Sequence, residues 1–226
     1  MGLWGLPKSG KTHWAFSFPG PIAAIEIGET GVEDLAYKFA KSGKVIKHFP
    51  IVSDQLSMNL DGHRKILLDF EKALKTAVAD KEVKTIVIDS MSMLWRSIRK
   101  VKTEEGFQES QRNKRNQADF ELANDYHEQI VQVVRQRTDL NLVLVHRHRN
   151  VWAQDGEGKA RDTGEVESRD YKGLENIVKI VAKTEAKGGK YYTVLELCRF
   201  DARLNGRVFE EWDYDKMIEF LFSEEE

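Results

Sequence analysis

Apolar and polar positions along this 226-residue chain alternate between two periods. Short apolar runs at residues 22–27, 44–51, 84–89 and 141–146 have the length and β-branched content of buried strands. Between them lie stretches with helical spacing. The clearest is 64–78, where Ile66, Leu67, Phe70, Ala73, Leu74 and Ala77 recur every three or four positions. Further helices are expected at 12–18, stopped by Pro19 and Pro21, and at 32–40 and 118–137. Strands alternating with helices predict βαβ crossovers, and so a mostly parallel sheet covered on both faces. Past Asn150 the pattern turns polar and glycine-bearing. Residues 177–184 and 191–197, about Gly188-Gly189, then read as a hairpin. The expected organisation is one α/β domain over 1–226. Residues 1–150 form its core, 151–210 a loop and hairpin region, and 211–226 an acidic helix and tail.

Composition adds little to this. Apolar residues at 41% and charged residues at 32% describe an ordinary globular domain with a core. The single cysteine, Cys198, excludes an internal disulfide and suits a reducing compartment. No run approaches the roughly 20 apolar residues of a membrane-spanning helix, and no signal-peptide core precedes Gly5. The expected location is the cytoplasm, that of the host cell if the protein is viral. Met1-Gly2 opens like a myristoylation signal, but Leu6 stands where Ser or Thr is required. The net charge of −2 is unevenly spread, since beyond Phe209 eight Asp or Glu face one Lys.

One segment carries sharp chemistry. Gly5-Leu6-Pro7-Lys8-Ser9-Gly10-Lys11-Thr12 fits G-x-x-x-x-G-K-T, a pattern that arises by chance in roughly one chain of this length in a hundred. Its glycines let successive N–H groups turn inward on a β-phosphate. Lys11 then reaches the β- and γ-phosphates, and the Thr12 hydroxyl ligates Mg²⁺. The helix that follows adds its positive end to the same site, with His13 beside the loop. Only Leu3 and Trp4 are left to form the strand that feeds it. Asp89 ends an apolar strand and is followed by Ser90, the form of an aspartate that holds Mg²⁺ through water and completes the metal site begun by Thr12. ATP and Mg²⁺ are the cofactors this pattern predicts.

The glycine loop, a strand followed by a glutamate, Val87-Ile88-Asp89-Ser90, and a strand ending in His146 together resemble the RecA-type ATPase core. More closely, the chain looks like the phage nucleotide-binding proteins that reduce RecA to its core and serve in single-strand annealing recombination. The resemblance spans about residues 3 to 210. It implies a RecA-like P-loop NTPase fold with a C-terminal β-hairpin extension, assembling as rings or filaments. In that family a glutamate past the second strand polarises the attacking water. Glu29 is the first choice here and Glu26 the second, because a charge inside an apolar strand costs free energy unless paired; the spacing departs from the usual form by one residue. The resemblance further implies that His146 senses the γ-phosphate and that Asp34 and Tyr37 flank the adenine. It makes Arg199 a finger reaching a neighbour's γ-phosphate, although Leu197 stands where related chains often add a lysine.

The same resemblance points to single-stranded DNA, gripped by the loops after the Asp89 and His146 strands. The first would carry Arg96, Arg99, Lys100, Arg112, Lys114 and Arg115 around Phe107, and the second Arg147, Arg149 and Trp152. Cations for phosphates and aromatics for bases are what a single strand requires. A single-strand-binding protein is a further implied partner, and the acidic tail a competitor for the basic loops. Three other readings stay open: a RecA-core ATPase acting on proteins, a P-loop kinase for a small metabolite, and a nucleotide-binding module without turnover.

Overall fold

The computed structural model describes residues 1–28, 31–52, 59–109, 121–154, 160–168 and 174–222. Among the described residues a nine-stranded sheet runs in the order β3-β2-β4-β5-β1-β7-β8-β9, with β6 paired to β5 off this path. Its strands are β1 (Gly2–Gly5), β2 (Ile22–Ile27), β3 (Ile46–Ile51), β4 (Thr85–Asp89), β5 (Asn141–Gln154), β6 (Ala160–Ser168), β7 (Ile180–Lys187), β8 (Lys190–Cys198) and β9 (Val208–Glu210). From β3 to β7 neighbouring strands are parallel, whereas β8 and β9 add antiparallel. The α/β class, the mostly parallel sheet flanked by helices and the hairpin β7–β8 therefore stand as the sequence predicts.

Two apolar layers sandwich the sheet, and strand alternation decides which residue enters which. Trp4, Ile25, Ile86, Ile88 and Leu144 face the layer under α3 (Leu60–Ala79), α4 (Met91–Glu109) and α5 (Glu121–Arg135). Leu3, Ala24, Val87, Val143 and Val145 face the other layer, under α1 (Lys11–Ala15), α2 (Val32–Ala40) and the C-terminal α7 (Tyr214–Phe222). A short α6 (Leu174–Ile177) packs Leu174 into the first layer. The central strands are buried on both faces, which is why they read as unbroken apolar runs. The 20-residue α3 starts at Asn59, whose Oδ1 accepts the N–H of Gly62. Its Phe70 is fully buried, so Phe70→Ala would cost about 3–5 kcal/mol.

Two expectations change. The segment after Asp89 is the 19-residue helix α4 and not a loop, so Arg96, Arg99 and Lys100 stand on a helix surface. Its exposed basic face hid the periodicity of Met91, Leu94, Ile98 and Val101, which are buried. The strand ending at His146 likewise continues to Gln154 and folds against β6 as an antiparallel ribbon. Arg147, Arg149 and Trp152 lie on that ribbon, where polar cross-strand contacts replace burial. Arg149 Nε donates to Glu167 at 2.7 Å and Asn150 Nδ2 to Asp162 at 2.7 Å. Among the described residues no helix is long and apolar enough to cross a membrane.

Candidate nucleotide site

The phosphate loop emerges from β1 at the carboxyl end of the sheet, and its conformation follows from its glycines and its buttress. Lys8 (φ 61°) and Gly10 (φ 87°) take left-handed conformations, the turn chemistry of an anion-binding nest. Gly10 heads α1, where its carbonyl accepts the N–H of Trp14 at 2.8 Å. Ser9 is buried and shares a 2.6 Å hydrogen bond with Thr184 of β7. Gly5 has no room for a side chain, since a Cβ there would lie 2.3 Å from the Thr184 carbonyl oxygen. The ring of Tyr191 on β8 closes against Gly10, where a Cβ would fall 3.0 Å from it. Leu6, Pro7 and Lys8 form the exposed crest of the loop. The hairpin thus braces the loop, a contact without local sequence signal because Thr184 and Tyr191 follow it by more than 170 positions.

Within this frame the charged groups converge. Lys11 Nζ donates to the carbonyls of Gly5 (3.1 Å) and Leu6 (2.8 Å), arching over the loop. Thr12 Oγ1 donates to Asp89 Oδ2 at 2.6 Å, joining the two predicted metal ligands. A hydroxyl and a carboxylate oxygen at this spacing are the hard donors that Mg²⁺ takes in P-loop sites. His13 is exposed on α1, its ring 5.1 Å from that of Phe39 on α2. Asp34 and Tyr37 lie exposed on α2, and Lys41 Nζ sits 4.6 Å above the Tyr37 ring.

The other predicted residues distribute unevenly. Glu26 is buried beside α2, where its Oε1 accepts the N–H groups of Gly31 (2.8 Å) and Val32 (3.1 Å). Its Oε2 meets His48 Nε2 at 2.8 Å. The charge inside the strand is thus satisfied by a helix N-terminus and a neighbouring strand. Glu29, Arg112, Lys114 and Arg115 lie outside the described residues. His146 is buried and, with Leu144, turned into the layer under α5; burial lowers its pKa to about 3, with His127 of α5 lowering it further. Neither of its ring nitrogens has a hydrogen-bond partner among the described residues. Arg199 follows β8 at the opposite end of the sheet from the phosphate loop. Its backbone N–H bonds to Lys179 O, and its guanidinium donates to Glu175 O at 2.6 Å.

Arg147, expected to contact DNA, lies at the nucleotide end of the sheet. Its Cα is the register partner of Gly5, and alternation puts its side chain on the face of Val143 and Val145, the face of α1. Its backbone N–H donates to Ser92 Oγ at 2.9 Å and its Nη2 to the Gly28 carbonyl at 3.4 Å. Counting alternate residues from Val143 would have found this in the sequence.

A family model described as AAA domain matches residues 1–203, from β1 to the turn after β8. No curated protein matches the chain significantly. With its phosphate loop braced by the hairpin and Thr12 on Asp89, this chain is an ATP-binding P-loop NTPase and belongs to the AAA-domain family.

Proposed function

We propose that the protein hydrolyses Mg²⁺-ATP and that single-stranded DNA is the effector of this turnover, in homologous recombination or strand annealing of the phage type. The observation that carries the hydrolytic reading is the 2.6 Å contact of Thr12 Oγ1 with Asp89 Oδ2 beside Lys11. Thr12 and Asp89 would hold Mg²⁺ there, and the ion would supply positive charge against the charge that develops on the transferring phosphoryl group. Glu29 is the base that activates water in this reading. The engagement of Glu26 with Gly31, Val32 and His48 supports that choice, because a carboxylate already accepting three contacts is poorly placed to accept a water proton.

The DNA reading draws on the RecA-type resemblance and on the basic face of α4, where Arg99 and Lys100 are exposed and Arg96 half-buried. Assembly into rings or filaments belongs to the same proposal. A second reading, an ATPase acting on a protein partner, is favoured by the ribbon β5–β6, whose Arg149 is neutralised by Glu167. Phosphate release measured with and without an oligothymidylate separates the two, with Lys11→Ala as the control. Stimulation by the oligonucleotide supports the DNA reading, and unaltered release supports the protein partner. No release above the Lys11→Ala level would leave a nucleotide-binding module and refute hydrolysis.

A further inference from the structure

Arg147 occupies a position that the activity above does not assign. Three adjacent strands pass the level of the phosphate loop, and on the α1 face they bring there Gly5 from β1, Arg147 from β5 and Asp89 from β4. Arg147 is half-buried, and its guanidinium reaches Gly28 O, the last described residue before Glu29. It therefore stands between Gly5 of the phosphate loop, its register partner, and Gly28, just past the end of β2. A γ-phosphate held by Lys11, Thr12 and Asp89 would lie at this same end of the sheet, on the α1 face that Arg147 shares.

We infer that Arg147 is a catalytic arginine supplied in cis, which leaves Gly28 O and binds the γ-phosphate of its own subunit's ATP. The inference rests on the hydrolytic reading. In the step it assists, a water oxygen bonds to Pγ as the bond from Pγ to the β–γ bridging oxygen breaks. ADP leaves, inorganic phosphate forms, and the water proton passes to the carboxylate base and then to solvent. Charge grows on the β–γ bridging oxygen, and a forked guanidinium stabilises it without gaining or losing a proton. Arginines in this role, whether in cis or in trans, are worth about 10³ to 10⁵ in rate.

The cis geometry has a consequence that an arginine from a neighbour would not share. Arg199, the trans candidate, is separated from its own phosphate loop by roughly 16 Å of strand, from Lys179 to Thr184 on β7. If Arg147 supplies the cation, each chain holds a complete site and assembly is not needed for turnover. Arg147 also directly precedes His148, where the pairing of β5 with β6 starts, so movement of its side chain from Gly28 O to a phosphate would link nucleotide state to the base of that ribbon.

The test uses the full chain. Arg147→Ala is expected to bind ADP within about twofold of the parent, while binding of ADP with aluminium fluoride, a mimic of the transferring phosphoryl group, falls at least 100-fold. Turnover is expected to fall about 10³-fold, and Arg147→Lys to recover only part of it, since an ammonium lacks the fork. Parent turnover per chain should stay constant on dilution, and mixing Arg147→Ala with Lys11→Ala should restore nothing, because both defects lie in one site. Aluminium fluoride binding unaltered in Arg147→Ala would overturn the inference. Rescue on mixing, or specific activity rising with concentration, would overturn it in favour of a cation given in trans. A parent protein that releases no phosphate yet binds the fluoride complex through Arg147 would refute hydrolysis and leave the γ-phosphate contact standing.

Discussion

Acidification should destabilise this protein well above the pH at which its carboxylates titrate, because two buried histidines lie in the layer between the sheet and the helices α4 and α5. His127 on α5 is fully buried, with its ring edge-on to Trp95 at 5.5 Å, and burial lowers its pKa to about 4. His146 on β5 is lowered to about 3, by burial and by His127. Both start from an unfolded value of 6.5. A base whose folded pKa is depressed keeps its stabilisation above the unfolded pKa and loses it as pH falls, since only the unfolded chain takes up the proton. Between pH 7.5 and pH 5 each ring therefore costs about 2 kcal/mol, roughly 4 kcal/mol together. His63 adds in the same direction through burial and the nearby charges of Arg96 and Lys100, and Glu196, raised by burial, offsets part of the loss. Against a typical stability of about 5–15 kcal/mol this is a large fraction. Urea unfolding followed by tryptophan fluorescence at a series of pH values measures it. His146→Leu, which removes ring nitrogens without hydrogen-bond partners among the described residues, should recover about 2 kcal/mol of the loss. An unfolding free energy that is level from pH 7.5 to pH 5 would refute the placement of these rings.

Two further outcomes check the site. Glu26→Gln should lower the unfolding free energy by about 1–3 kcal/mol through lost contacts to Gly31, Val32 and His48, whereas Glu29→Gln should leave stability alone and suppress phosphate release. The reverse pattern would exchange their roles. Gly5→Ala should cost about 1–3 kcal/mol of stability and weaken nucleotide binding, because its Cβ collides with backbone at Thr184; calorimetric titration with ADP showing parent affinity would contradict the bracing of the loop by β7.

Elements dominated by burial were legible in the sequence, and those held by long-range contacts were not. The helix expected over 32–40 is found at Val32–Ala40, and the strand expected over 22–27 at Ile22–Ile27, because in both the apolar positions alone decide the period. The phosphate loop was legible for a different reason, since its chemistry needs Gly, Lys and Thr at fixed spacing. The helix α4 was obscured by the basic residues on its outer face, and the ribbon β5–β6 by having almost no buried residues to announce it. Thr184 and Tyr191 carried no signal at all, since their value lies in meeting a loop at the other end of the chain.

Strand parity explains how a one-residue difference changes the chemistry expected of β5. His146 and Arg147 are adjacent, and either could end a strand that points at the phosphates. The side chain of a strand residue has only two directions, however, and Val143 and Val145 fix which of them belongs to α1. His146 must then enter the opposite layer, where Leu144 and the α5 helix surround it, and it remains neutral there. The ring is thus turned away from α1, whereas the Arg147 guanidinium on the α1 face touches Gly28 O and shares a rung with Gly5, the contacts on which its proposed γ-phosphate role rests. The same rule places Asp89 beside Thr12 and turns Glu26 toward the N-terminus of α2. The polar ends of the central strands thus owe their separate tasks to alternation, with burial of the valines and isoleucines beneath them holding each in place.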